Sequence, residues 1–393
     1  MTLKSSATKF LPIIFLGFYF LINSRDALAI VLIPLFLKFG GLSKTTIGII
    51  LGISYFVGFA CFPFWTLIIS KSKNRHILLM LILTTNVSLL CLFPLSSNLW
   101  FLLILVPVIT FFGQPVHPII DGMISQYTSI EGAKRLKFRN VLIVGSMGYC
   151  VMMTLVGVVL KSGILYFLII SFLAILLILT LFPLYSPTKI VTNKKENLVF
   201  NMFKSLLKSR PLAIILSEVC IIRITIVFFY MFFPMYFLSL GASTTLLGIT
   251  MLIGFGSEIL FYPFVDKLVA RMGTKNSLIL VVCITIFRWL ILYFITDLYT
   301  IMYLQVVNGL ATSVLRYSMT RYIFYETARE TSSAGKMLLK FSYSDISAIL
   351  SAIMGAILCD VIGIRNVFLI NSYVLFLVLL AVFINGPRRN IYA

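Results

Sequence analysis

Charged side chains interrupt several of the long apolar stretches of this sequence. Arg25 and Asp26 lie in the first stretch, and single charges recur later at Arg223, Glu258 and Arg288. Counted at about 1.5 Å per residue along a helix, all five lie near the middle of a membrane-spanning segment, where a charge needs a partner or a polar cavity. An arginine suits an anionic group, and a carboxylate can bind and release a proton. We predict solute binding for Arg25 and Arg223, and proton coupling for Asp26 and Glu258.

A second set of charges lies closer to one end of the apolar stretches: Glu218, Arg316 and Asp345. Together with the first set they give four arginines and four carboxylates, so a nearly neutral internal network is feasible. We assign the second set to an inner gate or to packing pairs. His117 is interpreted as a hydrogen-bonded structural histidine, and a proton relay is the alternative. Arg25 and Asp26 are adjacent, so one of them could serve structure alone.

The amino-acid composition indicates the environment in which these apolar stretches lie. Hydrophobic residues make up 60% of the chain, charged residues 11%, and the mean hydropathy is +1.07. A net charge of +20 also occurs in nucleic-acid-binding proteins, but here the basic residues occupy short gaps between apolar runs of about 20 residues, the length that crosses a bilayer. The six cysteines lie in apolar runs without metal-ligand spacing. We predict an integral membrane protein with a lipid-bilayer environment, no nucleic-acid partner, no metal and no cofactor.

The apolar runs predict an all-α membrane protein with twelve transmembrane helices in two six-helix bundles. The bundles comprise residues 1–184 and 210–393, and a polar cytoplasmic connector, 185–209, joins them. The predicted spans are 10–38, 44–70, 76–96, 99–127, 140–160, 163–184, 210–239, 243–265, 277–296, 298–325, 341–362 and 366–386.

The basic residues also predict orientation. If the N-terminus is cytoplasmic, 23 of the 32 lysines and arginines fall on the inner side, four on the outer side and five within helices. Cytoplasmic loops carry the excess of Lys and Arg in membrane proteins. Both termini are therefore predicted to be cytoplasmic, in a multi-pass protein of the cell membrane.

Three short motifs recur with an offset of 200 residues, which indicates two related halves. The pairs are Ile33-Pro34-Leu35 with Phe233-Pro234-Met235, Ile47-Gly48-Ile49 with Leu247-Gly248-Ile249, and Phe62-Pro63-Phe64 with Tyr262-Pro263-Phe264.

This layout and several motifs resemble the major facilitator superfamily, closest to the branch of phenylpropionate, nucleoside and lactose permeases. The resembling segments are 33–48, which is similar to the first outer loop of that branch, 273–288, which is similar to the eighth loop and ninth helix, and 304–310, which is similar to a tenth-helix motif. The resemblance implies transport by alternating access. It also implies that Glu258 and Arg288 belong to a proton-coupling network, and that Gln305, Asn308 and Tyr149 lie at substrate-binding positions.

The departures from that branch narrow the range of expected substrates. Asn308 replaces the usual tenth-helix histidine, Ala311 replaces the coupling glutamate of lactose permease, and Leu142 replaces its sugar-binding arginine. A β-galactoside substrate is therefore not expected. The loop signature of the superfamily survives only in part, around Asp266, Lys267 and Arg271. These residues either close the inner side through charge pairing or serve as ordinary positive-inside anchors.

The leading hypothesis is a monomeric secondary transporter that carries a small polar or anionic solute together with protons. The sequence lacks a nucleotide-binding P-loop, so direct use of ATP is not expected. A proton-driven exporter of drugs or amphipathic lipids is the nearest alternative, and a non-transporting membrane sensor is an alternative of another class. An enzyme is not expected, because two histidines and scattered carboxylates do not form a nucleophile-base or metal constellation.

The predicted topology can be tested by labelling single cysteines with a membrane-impermeant reagent. A cysteine at Ser72 or Asn193 should react only from the cytoplasmic side, and a cysteine at Ser97 only from outside. Reaction of Ser72→Cys and Ser97→Cys from the same side would exclude the twelve-helix topology.

Overall fold

The computed structural model describes residues 7–72, 75–92, 98–121, 124, 138–162, 210–326 and 341–385. Every regular element among these residues is helical. The predicted span 163–184 and the predicted connector 185–209 lie outside the described residues. The helices are α1 Ala7–Phe39, α2 Lys44–Ala60, α3 Phe62–Lys71, α4 Arg75–Leu92, α5 Leu99–Gly113, α6 Phe138–Ser162, α7 Arg210–Ser239, α8 Thr244–Phe294, α9 Leu298–Tyr303, α10 Gln305–Glu326, α11 Ser347–Ile362 and α12 Ile364–Asn385.

Seven helices of the described part are long and apolar enough to cross a membrane, and two shorter apolar helices, Ile77–Leu90 and Ile143–Leu155, accompany them. Several predicted spans consist of two consecutive elements. Residues 44–70 form α2 and α3, 298–325 form α9 and α10, and 341–362 begin with a π-helical segment, Phe341–Ile346. The chain is thus a multi-pass helical membrane protein, and the count of twelve spans stays a prediction.

Helix α8 contains two predicted spans. It has 51 residues, or about 75 Å at 1.5 Å per residue, which is more than twice the thickness of a bilayer's hydrocarbon core. The helical conformation is broken at Gly273, where φ is 75° and ψ is 169°. Glycine adopts this backbone conformation without a Cβ penalty. Two helices therefore meet at Gly273, as the predicted spans 243–265 and 277–296 require.

The 200-residue repeat is visible in the turns that precede α2 and α8. Gly41 and Gly241 both have positive φ angles, 82° and 89°. Ser43 then accepts a hydrogen bond at its Oγ from the backbone N–H of Thr46, and Ser243 accepts one from Leu246, each at 3.1 Å. A serine that caps a helix N-terminus in this way satisfies an otherwise unpaired N–H group. The two halves thus share a turn as well as a sequence motif.

The chain forms two compact units. The first unit comprises Met1–Gly41, Ile53–Thr192 and Ser243–Leu252. In this unit α1 and α6 pack closely along each other, because Gly145 faces Tyr19 and Gly148 faces the backbone of Phe20. A Cβ at Gly148 would lie 2.2 Å from the Phe20 carbonyl oxygen, so only glycine permits this contact.

The second unit comprises Leu42–Gly52, Asn193–Ala242 and Ile253–Ala393. Its interior is rich in aromatic rings, and Trp289 stacks on Phe368 with ring centroids 5.5 Å apart. The first turns of α2 belong to this unit and pack on α11. Lys44 donates a hydrogen bond from Nζ to the carbonyl oxygen of Cys359 at 3.0 Å, and the backbone N–H of Thr45 donates to Asp360 at 2.7 Å.

The contact between α2 and α11 requires glycine at position 48. A Cβ there would lie 2.1 Å from the Cβ of Ala356 and 2.3 Å from the carbonyl oxygen of Ala352. Because backbone cannot yield as a flexible side chain does, Gly48→Val should separate the helices and destabilise the protein by about 1–3 kcal/mol. Thermal unfolding in detergent measures the effect. Gly17→Ala is the control, since nothing lies within 4 Å of a Cβ at Gly17. Equal melting temperatures for both variants would contradict this account.

Candidate functional site

A charged centre occupies the middle of the first unit. Asp26 on α1 accepts hydrogen bonds from the neighbouring Arg25 guanidinium, including one from Nε at 3.1 Å. The other carboxylate oxygen of Asp26 lies 2.6 Å from Nε2 of His117, which belongs to the helical stretch 116–121 that follows α5. The Asp26 and His117 side chains retain 24% and 36% of their exposure, so a small molecule or water can reach them. Arg25 and Asp26, both predicted from the sequence to lie at a functional site, thus form one cluster with His117.

Asn86 anchors the same cluster to the neighbouring helices. Arg25 donates a hydrogen bond from Nη1 to Oδ1 of Asn86 at 3.0 Å, and Asn86 donates from Nδ2 to the carbonyl oxygen of Ile109 at 2.6 Å. Asn86 is 2% exposed and was not among the residues predicted from the sequence. Its signal was a single amide side chain in the largely apolar helix α4, next to Thr84 and Thr85. Because Arg25 has both Asp26 and Asn86 as partners, its charge is largely compensated within the protein.

A second polar centre lies in the second unit, about 21 Å along α8 from its beginning by helical rise. Glu258 is half-buried there and accepts a hydrogen bond from the Thr312 hydroxyl at 2.7 Å. Asn308, one turn earlier on α10, donates from its amide to the hydroxyl of Tyr230 at 2.8 Å. The ring of Tyr230 stacks on Phe255 with centroids 5.1 Å apart. Close approach of α8 and α10 depends on Gly309, where a Cβ would meet the Ser257 hydroxyl at 1.9 Å.

Arg288 lies beside this centre but does not pair with Glu258. It donates from Nη2 to Oε1 of Gln305 at 3.0 Å, and its guanidinium carbon lies 3.9 Å from the ring centroid of Phe229 and 4.6 Å from that of Trp289. Arg288 is 1% exposed, and Gln305 is 2% exposed. No salt bridge joins Arg288 to Glu258 among the described residues, and the shared coupling role that the resemblance implies for them stays a prediction. Aromatic faces and an amide stabilise this buried cation instead.

Arg223 and Arg316 both interact with Tyr343 in the same unit. Arg223 on α7 donates from Nε to the backbone carbonyl of Tyr343 at 3.1 Å, and its guanidinium carbon lies 4.1 Å above the Tyr343 ring. Arg316 on α10 donates from Nη1 to the Tyr262 hydroxyl at 3.0 Å and acts electrostatically on Glu258 and Tyr343. Neither arginine has an acidic partner within 4 Å in the described part of the chain. Arg316, assigned to a gate from sequence, therefore lies beside the carboxylate of the polar centre.

The remaining residues assigned to a gate separate into two groups. Asp266 accepts a hydrogen bond from the Tyr317 hydroxyl and lies 3.8 Å from Nη1 of Arg321, while Lys267 and Arg271 are exposed. Asp266 thus joins α8 to α10. The roles of these residues as latch or anchor stay predictions.

Glu218 and Asp345 form the second group. Glu218 is 4% exposed, and neither of its carboxylate oxygens has a hydrogen-bond partner among the described residues. Asp345 is half-buried in the π-helical segment. Tyr149, proposed at a substrate position, is half-buried on α6, next to the close contact at Gly148. Within the described residues, no group of three or more His, Cys, Asp or Glu is arranged to hold a metal ion.

Long apolar helices with charged side chains between them are typical of membrane transport proteins. A protein-family model matches residues 13–370 and is described as the MFS_1 like family. The chain therefore belongs to the MFS_1-like family of major facilitator transporters, which are secondary transporters and not enzymes. The resemblance deduced from the sequence is confirmed at this level. None of the curated proteins compared with this chain matches its sequence.

Solved structures with a similar fold are also transporters. The crystal structure of the nucleoside transporter NupG superposes with a TM-score of 0.81 at 16% sequence identity, covering 96% of this chain and 100% of NupG. A NupG mutant gives a TM-score of 0.83 at the same identity and coverage. A bacterial homolog of the human lysosomal transporter Spinster, in an inward-facing and unoccupied conformation, gives 0.70 at 15% identity, with 98% of each chain covered. At 15–16% sequence identity, the similarity to these structures establishes the fold alone.

The compensated charges of the first unit predict a specific pattern of stability. Asp26→Asn should lower the free energy of unfolding by about 3 kcal/mol, because it leaves the buried Arg25 without its counter-charge. The double variant Arg25→Met/Asp26→Leu should recover most of this loss, since it removes both charges. Thermal unfolding of the purified variants in detergent checks both. A double variant that is less stable than Asp26→Asn would contradict the pairing.

Proposed function

We propose that this protein is a proton-coupled symporter of a small polar or anionic solute, acting as a monomer in the cell membrane. The observation that carries the proposal is Glu258. It is a half-buried carboxylate at mid-membrane that accepts one hydrogen bond from Thr312 and forms no salt bridge among the described residues. A carboxylate in this setting can alternate between ionised and protonated forms as its surroundings change.

The cation that acts on Glu258 in this proposal is Arg316 rather than Arg288. Arg288 is held by Gln305 and two aromatic faces, whereas Arg316 lies within electrostatic range of Glu258 and beyond salt-bridge distance. A change of conformation that brings Arg316 closer to Glu258 favours release of the proton, and a change that withdraws Arg316 favours its uptake. The carboxylate and the arginine lie on different helices, α8 and α10, so motion of these helices can alter their separation.

Polar side chains around Glu258 supply the groups that a small solute needs. Asn308 and Tyr230 offer an amide and a hydroxyl, and Phe255 stacks on Tyr230. This combination of a few polar groups with aromatic walls is typical of small-molecule sites. NupG is described as a nucleoside transporter, so nucleosides are the first neutral solutes to test. In the first unit, Asp26 and His117 are a second candidate for proton exchange.

Glu258→Gln tests the coupling directly, because glutamine mimics the protonated carboxyl permanently. The variant should lose accumulation of solute driven by a proton gradient, since it has no proton to release. Exchange of labelled for unlabelled solute should survive, because exchange needs no net proton movement. Both are measured in proteoliposomes, with and without an imposed pH gradient.

Asp297→Asn is the matched carboxylate control. Asp297 caps α9 by accepting a hydrogen bond from the backbone N–H of Thr300 at 2.7 Å, and it is exposed at the helix end, whereas Glu258 is half-buried. Asparagine also caps helices well, so this variant should accumulate solute as the wild type does. Retained accumulation by Glu258→Gln would exclude Glu258 as the coupling group and make Asp26 the next residue to test.

A further inference from the structure

Two arginines of the second unit, Arg223 and Arg316, lie near its polar centre without forming a salt bridge among the described residues. Arg223 and Arg316 have no acidic partner within 4 Å among the described residues, and Glu258 is the carboxylate that acts on Arg316. Arg25 in the first unit differs, because Asp26 compensates its charge at contact distance. Placing an arginine at mid-membrane costs about 2.5–3.5 kcal/mol on insertion scales even in a helix of favourable sequence. Two arginines without a carboxylate at contact distance are therefore groups that a bound anion would stabilise.

Both arginines are held by contacts that leave N–H groups available. Arg223 uses Nε for the Tyr343 carbonyl, and both of its Nη groups have no hydrogen-bond partner in the described part of the chain. Arg316 uses Nη1 for the Tyr262 hydroxyl, and its side chain is exposed. Arg288 has two fully buried guanidinium nitrogens without a hydrogen-bond partner among the described residues, whereas Arg223 has none. The unpartnered Nη groups of Arg223 and the exposed side chain of Arg316 therefore border accessible space.

Tyr343 interacts with both arginines. Its ring supports the guanidinium of Arg223 at 4.1 Å, and its hydroxyl lies within electrostatic range of Arg316. An arginine stacked on an aromatic ring keeps its planar fork of N–H groups in a fixed orientation, which suits bidentate binding of carboxylate or phosphate oxygens. The π-helical segment Phe341–Ile346 carries this tyrosine into position. Such local π-helical turns are frequent at functional sites.

We propose that Arg223 and Arg316, which both interact with Tyr343, form an anion-binding subsite, and that the solute is a small organic anion with a carboxylate or phosphate group. This inference rests on the proposed transport function and narrows its substrate class. Glu258 then acts as an internal competitor, because its ionised carboxylate occupies the field of Arg316. Protonation of Glu258 releases Arg316 for the solute anion.

The competition links anion binding to proton binding. The groups that face Glu258 are Arg316 and Thr312 on α10, Tyr230 on α7 and Tyr262 on its own helix. Arg316 is the cation among them that borders the subsite. If each bound anion is accompanied by one proton, affinity for the anion should rise by up to about tenfold for each unit that the pH falls. Reciprocity requires that the anion raise the affinity for the proton by the same factor.

Ligand-induced thermal stabilisation of the purified protein tests the subsite with matched probes that differ in one ionised group. The pairs are benzamide with benzoate, uridine with uridine 5′-monophosphate, and glucose with glucose 6-phosphate. The anionic member of at least one pair should stabilise the wild type, and binding of the neutral member should be at least about tenfold weaker. Benzoate and the two phosphates separate a carboxylate from a phosphate preference. A panel in which no anionic member binds overturns the proposal.

Substitutions of single arginines distinguish loss of the anion subsite from a general loss of folding. Arg223→Gln and Arg316→Gln should each weaken binding of the anion at least about tenfold, and Arg223→Lys should recover only part of the affinity, since a point charge lacks the fork. Arg365→Gln is the control. Arg365 also donates from Nε to a backbone carbonyl and faces a tyrosine ring, but it lies at the start of α12, outside the polar centre. Its replacement should leave the affinity unchanged.

Glu258→Gln provides a result that misfolding cannot mimic. With benzoate, which stays ionised from pH 6 to pH 8, this variant should bind the anion more tightly than the wild type at pH 8, and its affinity should not change over that range. If Glu258→Gln and the wild type bind the anion equally at pH 6 and at pH 8, Glu258 does not compete with the anion. If a neutral probe is accumulated by a proton gradient while Arg223→Gln and Arg316→Gln bind it normally, the transport function stands and the anion subsite is excluded.

Discussion

The cost of holding a charge inside a membrane governs the arrangement of polar residues in this protein. Each arginine at mid-depth is stabilised in a different way. Arg25 has a carboxylate and an amide, Arg288 has an amide and two aromatic faces, and Arg223 has a backbone carbonyl and a tyrosine ring. Only the first of these is a neutral pair. The pairing of the arginines therefore differs between the two units, and arginines without a salt bridge among the described residues lie near the polar centre of the second.

Close helix packing supports these polar centres. Gly148 lets α6 approach the backbone of α1 next to the residues that lead to Arg25, and Gly309 lets α10 approach α8 at Glu258. Small residues permit such contacts in membrane proteins, where apolar burial alone gives little driving force between helices. The hydroxyls of Ser24 and Ser313 add hydrogen bonds across the same two contacts, at 3.0 and 3.2 Å. The glycines that bring the helices together thus also bring the polar side chains within reach of one another.

Sequence reasoning predicted the helical membrane fold, the break near Gly273 and the repeat of two halves. These follow from features that act locally: the length of apolar runs, the position of glycine and proline, and the distribution of basic residues. It also selected charged residues that the structure brings near one another, since Arg223, Glu258 and Arg288 all lie at one polar centre or beside it. It predicted a hydrogen bond at His117 but not the partner, because Asp26 lies 91 residues away in sequence.

The pairing of the charges was decided by the tertiary structure. The sequence by itself determined that arginines and carboxylates occupy mid-membrane positions, because the charge and the hydropathy of each segment can be read without knowing its neighbours. It did not determine that Arg288 binds Gln305, that Arg316 acts on Glu258, or that Arg223 stacks on Tyr343. Those contacts depend on the rotation and spacing of helices within a bundle. A rotation of about 100°, the step between successive helical residues, changes the neighbour of every side chain while the hydropathy of the segment stays the same.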